Sequence, residues 1–118
     1  MATDTYKNLS AGTMPTGATG GTLYTPSAAG AGAAILKGGG NYIINTDSST
    51  RTFVLWINGN TDAAALVGTA GTTISLKAGE SYRMDAGEVI ALANGDSIQG
   101  TASVSGKLVY NFNGDLVT

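Results

Sequence analysis

Short apolar runs, each closed off by Gly, Asn, Asp or Ser, set the pattern of this chain. Residues 22–25, 33–37, 42–45, 52–58, 72–76, 81–85, 89–92, 97–103 and 107–113 are β-branched or aromatic stretches of strand length. No window long enough for a helix keeps apolar residues at i, i+3, i+4 and i+7 without a Gly breaking it. The Ala clusters around Ala33 and Ala63 are too short to stand as helices. Many short strands with no helices between them predict an all-β fold, an antiparallel β-sandwich of jelly-roll or Ig-like type.

The turns sharpen the reading. A three-residue loop at Val104-Ser105-Gly106 puts Gly106 where a left-handed conformation is needed. As a hairpin it would set Ala102 opposite Leu108, Gly100 opposite Tyr110 and Ile98 opposite Phe112, with Tyr110 covering Gly100. A similar loop, Lys77-Ala78-Gly79, would set Ile74 opposite Tyr82 and leave Thr73, Ser75 and Arg83 on the outer face. Asn94-Gly95-Asp96 is a third turn signal.

The run Phe53-Val54-Leu55-Trp56-Ile57 breaks the alternation. If Phe53, Leu55 and Ile57 face the core, Val54 and Trp56 face outward, and such a pair needs a cover. Three covers fit: the N-terminal arm or loops of the same chain, a neighbouring subunit, or a ligand such as a sugar ring.

Residues 1–21 are dominated by Gly, Thr, Ala and Ser and hold few apolar anchors. They predict an extended N-terminal arm ahead of a β-sandwich domain spanning residues 22–118. Tyr6, Leu9 and Met14 from that arm, with Val54 and Trp56, make up the candidate interface. Deleting residues 1–20 is then expected to leave the sandwich folded and to abolish binding to its partner.

With 118 residues the chain suits one domain. Charged residues are 12% of it and the formal net charge is -2. Such a neutral surface offers no basic stripe for phosphates, so no nucleic-acid partner is expected, and low charge suits a protein packed against neighbours. No apolar run is long enough to span a bilayer, so no membrane partner is expected, and residues 1–10 lack the apolar core of a signal peptide. The Asn8-Leu9-Ser10 sequon therefore carries no information.

Cys and His are both absent. Ser-His dyads, thiolate nucleophiles and most transition-metal sites are thereby excluded. Asp47, Asp62, Glu80, Asp85, Glu88, Asp96 and Asp115 sit mostly at turns, where a carboxylate bonds its own backbone. Gly38-Gly39-Gly40 lacks the phosphate-loop pattern. The expectation is a non-catalytic protein with no catalytic residues, no cofactor and no metal.

From Leu23 onward the motif order resembles small β-sandwich virion proteins of tailed bacteriophages. The carrying elements are Leu23-Tyr24-Thr25-Pro26, Asn45-Thr46-Asp47 and the Phe53 to Gly59 strand. They continue with Ser75-Leu76-Lys77-Ala78-Gly79-Glu80-Ser81, Ile90-Ala91-Leu92-Ala93-Asn94-Gly95-Asp96-Ser97-Ile98 and Lys107-Leu108-Val109-Tyr110-Asn111-Phe112. The resemblance implies a symmetric particle component, with a trimer favoured. Its implied role is a head decoration or cement protein that binds the major capsid protein at the capsid surface. A tail, baseplate or fibre-associated piece is the alternative in the same class. A carbohydrate-binding module, stacking sugars on Trp56 and Tyr82 or Tyr42, is the alternative of another class.

Overall fold

The computed structural model describes residues 4–17, 20–26, 33–58, 65–68, 73–85, 87–93 and 95–117. Among these it holds no α-helix and eleven strands: β1 Asp4–Thr13, β2 Gly21–Tyr24, β3 Ala33–Lys37, β4 Tyr42–Asn45, β5 Arg51–Ile57, β6 Ala65–Val67, β7 Ile74–Leu76, β8 Ser81–Arg83, β9 Val89–Leu92, β10 Ile98–Ala102 and β11 Leu108–Val117. A single 3₁₀ turn, Gly38–Gly40, separates β3 from β4. The strands form two antiparallel sheets, so the fold is the expected β-sandwich.

Some strands are halves of one ribbon. β3 and β4 run in the same direction along one edge of β11, pairing Leu36 with Gly114 and Tyr42 with Asn111. β8 and β9 do the same along β4 and β3, and β7 and β6 along β5. Joining these halves leaves eight ribbons. Numbered along the chain, the first sheet (sheet A) runs 1-8-3-6 and the second (sheet B) runs 2-7-4-5. This is the jelly-roll order, in which ribbons 1·8, 2·7, 3·6 and 4·5 pair as nested couples rolled into two layers.

The inner faces carry the core. Leu36, Ile43, Leu92, Leu108, Tyr110 and Phe112 come from sheet A, and Leu23, Phe53, Leu55, Leu76, Ile98 and Ala102 from sheet B. The side-chain faces expected for the segments around Gly106 and Gly79 are those observed, and both glycines take the left-handed conformation, φ 75° and 76°. The pairings are not. β10 lies in sheet B beside β5 and β2, β11 in sheet A beside β1, β3 and β4, and β7 and β8 are likewise in different sheets. Both loops arch between layers, so Ile98 and Phe112 share one core from opposite sheets. Tyr110 covers a glycine, but it is Gly12, its partner on β1, where an added Cβ would lie 3.3 Å from the phenol oxygen.

Residues 4–13, within the segment expected to extend as an arm, are β1, paired with β11 from Asp4↔Val117 to Thr13↔Val109. Met14 beyond it is 1% exposed in the core. Backbone hydrogen bonds to a long neighbour hold a strand that is poor in apolar side chains, and composition does not report them. A bulge at Leu9 resets the pleat: Asn8 faces outward opposite Asn113, while Ser10 faces inward opposite Phe112.

Two buried amides bind backbone groups, Asn45 across the two sheets and Asn41 across the break in ribbon 3. Asn45 donates from Nδ2 to Ser49 O at 2.8 Å and to Leu76 O of sheet B at 2.9 Å, and its Oδ1 accepts the Asp47 N–H. Asn41, just after the 3₁₀ turn, donates to Lys37 O and Gly38 O and accepts the Asn113 N–H. Each amide satisfies backbone groups that would otherwise be buried unpaired.

Candidate functional site

On sheet A the pleat sends Tyr110 and Phe112 into the core and Asn111 and Asn113 to the outer face. Asn8 joins them from β1. Its Nδ2 donates to Asn111 Oδ1 at 2.5 Å, Asn113 Oδ1 at 3.0 Å and Phe112 O at 3.3 Å. Asn113 Nδ2 donates onward to Gly40 O at 2.5 Å, and Asn111 Nδ2 to the Tyr42 hydroxyl at 3.2 Å. The Arg83 guanidinium stands 4.8 Å over the Tyr42 ring. Lys37 pairs with Asp115 one row away.

The network joins three ribbons into one polar plate with little net charge. Tyr6, opposite Asp115 at one end of the plate, is 59% exposed, and Val89 on the opposite edge is 62% exposed. A plate of this kind binds through hydrogen bonds, stacking and modest apolar contact. The amides were legible only as outward residues alternating with Tyr110 and Phe112. Nothing local marks them as a cluster, because Asn8 reaches Asn111 across about a hundred residues of chain, a separation of 103.

The residues singled out from sequence fall in different places. Val54 and Trp56 are each 2% exposed and stand outside the inner core cluster, so they face outward and are covered. Val54 lines a hollow with Gly17, Thr73, Thr101 and Ser103. Gly17 O accepts the Thr101 hydroxyl at 2.7 Å and Pro15 O accepts the Ala102 N–H at 2.8 Å, so part of the cover is the chain's own N-terminal segment. Trp56 lies between Gln99 and Ala65, and its buried Nε1 makes no hydrogen bond to a described residue. Met14 is in the core and Leu9 is half-buried. Of the five, only Tyr6 offers a large exposed surface.

The sugar platforms considered from sequence change accordingly. Trp56 is buried, Tyr82 faces the interior with its ring edge-on to Phe53 at 5.8 Å, and Tyr42 carries Arg83.

The carboxylates serve the turns. Asp47 binds Arg51 Nε at 2.6 Å and the Ser48 N–H at 2.8 Å, and Arg51 chiefly holds its carboxyl below the usual value. Asp96 accepts the Ala93 N–H and an Asn58 amide proton, and that backbone bond is the main reason its carboxyl also sits low. Glu80 and Glu88 accept the N–H groups of Lys77 and Asp85. Asp62 lies outside the described residues. Among the described residues no three acidic side chains gather closely enough to hold a metal ion.

No family model matches the chain, and neither a curated protein nor a solved structure matches it at a significant level.

Proposed function

We propose that this protein is a structural component of a bacteriophage virion, a head decoration protein that binds the major capsid protein as a trimer. The observation that carries the reading is the jelly-roll order of the eight ribbons, an architecture that viral capsid domains share. The support is analogy of fold, joined to the motif order from Leu23 onward. The neutral outer plate of sheet A supplies a surface suited to repeated modest contacts, which symmetry multiplies into a strong attachment.

Mixing the purified protein with undecorated heads and sedimenting them tests this directly. Co-sedimentation that saturates at a fixed ratio per capsomer, with weakening on Tyr6→Ala, is the expected result. Failure to co-sediment overturns the decoration role. Immunogold labelling confined to the tail would replace it with the tail or baseplate reading.

The exposed Tyr6 beside the amides of Asn8, Asn111 and Asn113 also favours a second reading, a glycan-binding face, because jelly rolls include lectin domains. Glycan-array binding that disappears on Tyr6→Ala without loss of folding would establish it.

A further inference from the structure

The sandwich is not filled along one edge. Ribbon 6 breaks between β8 and β9, and beside this break a pocket of about 120 Å³, open to solvent at the Glu88 and Val89 rim, runs in between the sheets. Leu55 and Ile98 of sheet B and Ile90 and Phe112 of sheet A form its walls, and Tyr82 and Glu88 line it as well. Protein interiors pack to near-crystalline density, and an unfilled apolar void lowers stability in proportion to its volume. A small domain with no disulfide and no metal cluster among its described residues has little reason to keep one unless something occupies it.

The lining specifies the occupant. An apolar cavity of about 150 Å³ takes up benzene and excludes water, which sets the scale at one ring or one branched aliphatic group. The polar groups set the head. The Tyr82 hydroxyl makes no hydrogen bond to a described residue, and Glu88, whose Oε1 accepts the Asp85 N–H at the surface, lines the rim of the same space. Burial first, then the negative charges of Glu88 and Asp85, hold the Tyr82 phenol above its ordinary 10.0, so it stays protonated in an electronegative setting. Anionic heads are disfavoured there and ammonium heads are favoured.

We propose that this pocket is a binding site for a small apolar amine, with its single ring or branched hydrocarbon between the sheets and its ammonium at Glu88 and the Tyr82 hydroxyl. The site is independent of the virion reading, because it uses the interior and not the outer plate.

The test uses the intact ¹⁵N-labelled protein titrated with benzene, benzylamine and benzoate. Benzene and benzylamine are expected to shift the amides of Leu55, Ile90 and Ile98, with benzylamine about fivefold tighter, the scale of one solvent-facing ion pair. Benzoate is expected to bind weakest. Glu88→Gln should bring benzylamine to the level of benzene while the Asp85 turn stays closed through the retained Oε1. Filling the pocket by Ile90→Phe, or by Ile98→Phe from the facing sheet, should abolish binding with Tm held or raised. No shifts at these amides, benzoate binding as tightly as benzylamine, or a lower Tm in both filled variants would each overturn the proposal.

Discussion

Asn41 and Asn113 replace a missing rung of sheet A: the Asn41 side-chain Oδ1 accepts the Asn113 N–H at 2.8 Å, where the 3₁₀ turn lifts ribbon 3 away from β11. The same amide donates to Lys37 O and Gly38 O, so one side chain, 2% exposed, bridges both sides of the break. Asn41→Leu keeps the volume and removes every side-chain bond. It should lower stability by about 2–3 kcal/mol, since buried backbone groups are left unpaired. A urea titration should show a lower midpoint with an unchanged slope.

β1 and Met14 are a part of the sandwich in this structure, and deleting residues 1–20 should therefore be felt by the fold. The deletion takes away β1, exposes the long edge of β11, uncovers Tyr110 and removes Met14 from the core. Met14→Ala alone should cost about 2–5 kcal/mol. If the truncated chain melted at the temperature of the whole chain, β1 would not be an integral strand.

How much of this was legible in the sequence depends on what each signal encodes. Period-two alternation sorts side chains to faces, and Ile98, Ala102, Leu108, Tyr110 and Phe112 are all buried as their spacing requires. It says nothing about which strand lies alongside. A left-handed Gly at the third position, as at Gly79 and Gly106, closes a hairpin and an arch between sheets equally well. In a jelly roll only ribbons 4 and 5 are consecutive neighbours in one sheet, so the hairpin assumption fails at the other connections. β1 was missed because its stability comes from backbone pairing to a strand about a hundred residues away. The amide plate was missed because Asn8 meets Asn111 and Asn113 only through that pairing.

Gly114 tests the close approach at the same break. It pairs with Leu36, and an added Cβ would lie 2.1 Å from the Ile35 carbonyl oxygen and 2.8 Å from the Leu36 Cα, both backbone atoms that cannot move aside alone. Gly114→Ala should destabilise by about 3 kcal/mol or more. At Gly87 nothing lies within 4 Å of the added Cβ, and Gly87→Ala should stay within about 0.5 kcal/mol of the parent. Thermal melts of the two variants side by side check the contrast.

Among the described residues, Asp47 and Asp96 give stability an acid dependence. Both carboxyls lie below their ordinary 3.8 in the folded chain, Asp47 chiefly through Arg51 and Asp96 chiefly through the Ala93 N–H. The unfolded chain therefore takes up protons first as pH falls. The stabilisation is fully present above the unfolded value and is lost as pH drops through 3.8 toward the folded values. Tm should hold down to about pH 5 and fall below about pH 4. Asp96→Asn retains an acceptor for the Ala93 N–H and removes the titration, so its acid fall should be shallower. Equal slopes in parent and variant would contradict this account.

Trp56 is the only tryptophan in the chain, and its environment makes it a reporter of the native state. The ring is 2% exposed and its Nε1 has no hydrogen-bond acceptor among the described residues, so emission should be blue-shifted and resistant to acrylamide, with both properties lost together on unfolding. Trp56→Phe removes buried ring area, which destabilises, and also removes an unsatisfied donor, which offsets part of that loss. The net cost should therefore fall below the roughly 3–5 kcal/mol typical of truncating a buried tryptophan to alanine, and Trp56→Ala should reach that range. If instead a partner subunit completes the cover of this strand, the Trp56 emission of the isolated protein should shift further to the blue on assembly. Trimer formation with no spectral change would place the contact elsewhere, and the exposed Tyr6 end of the outer plate would be the next position to substitute.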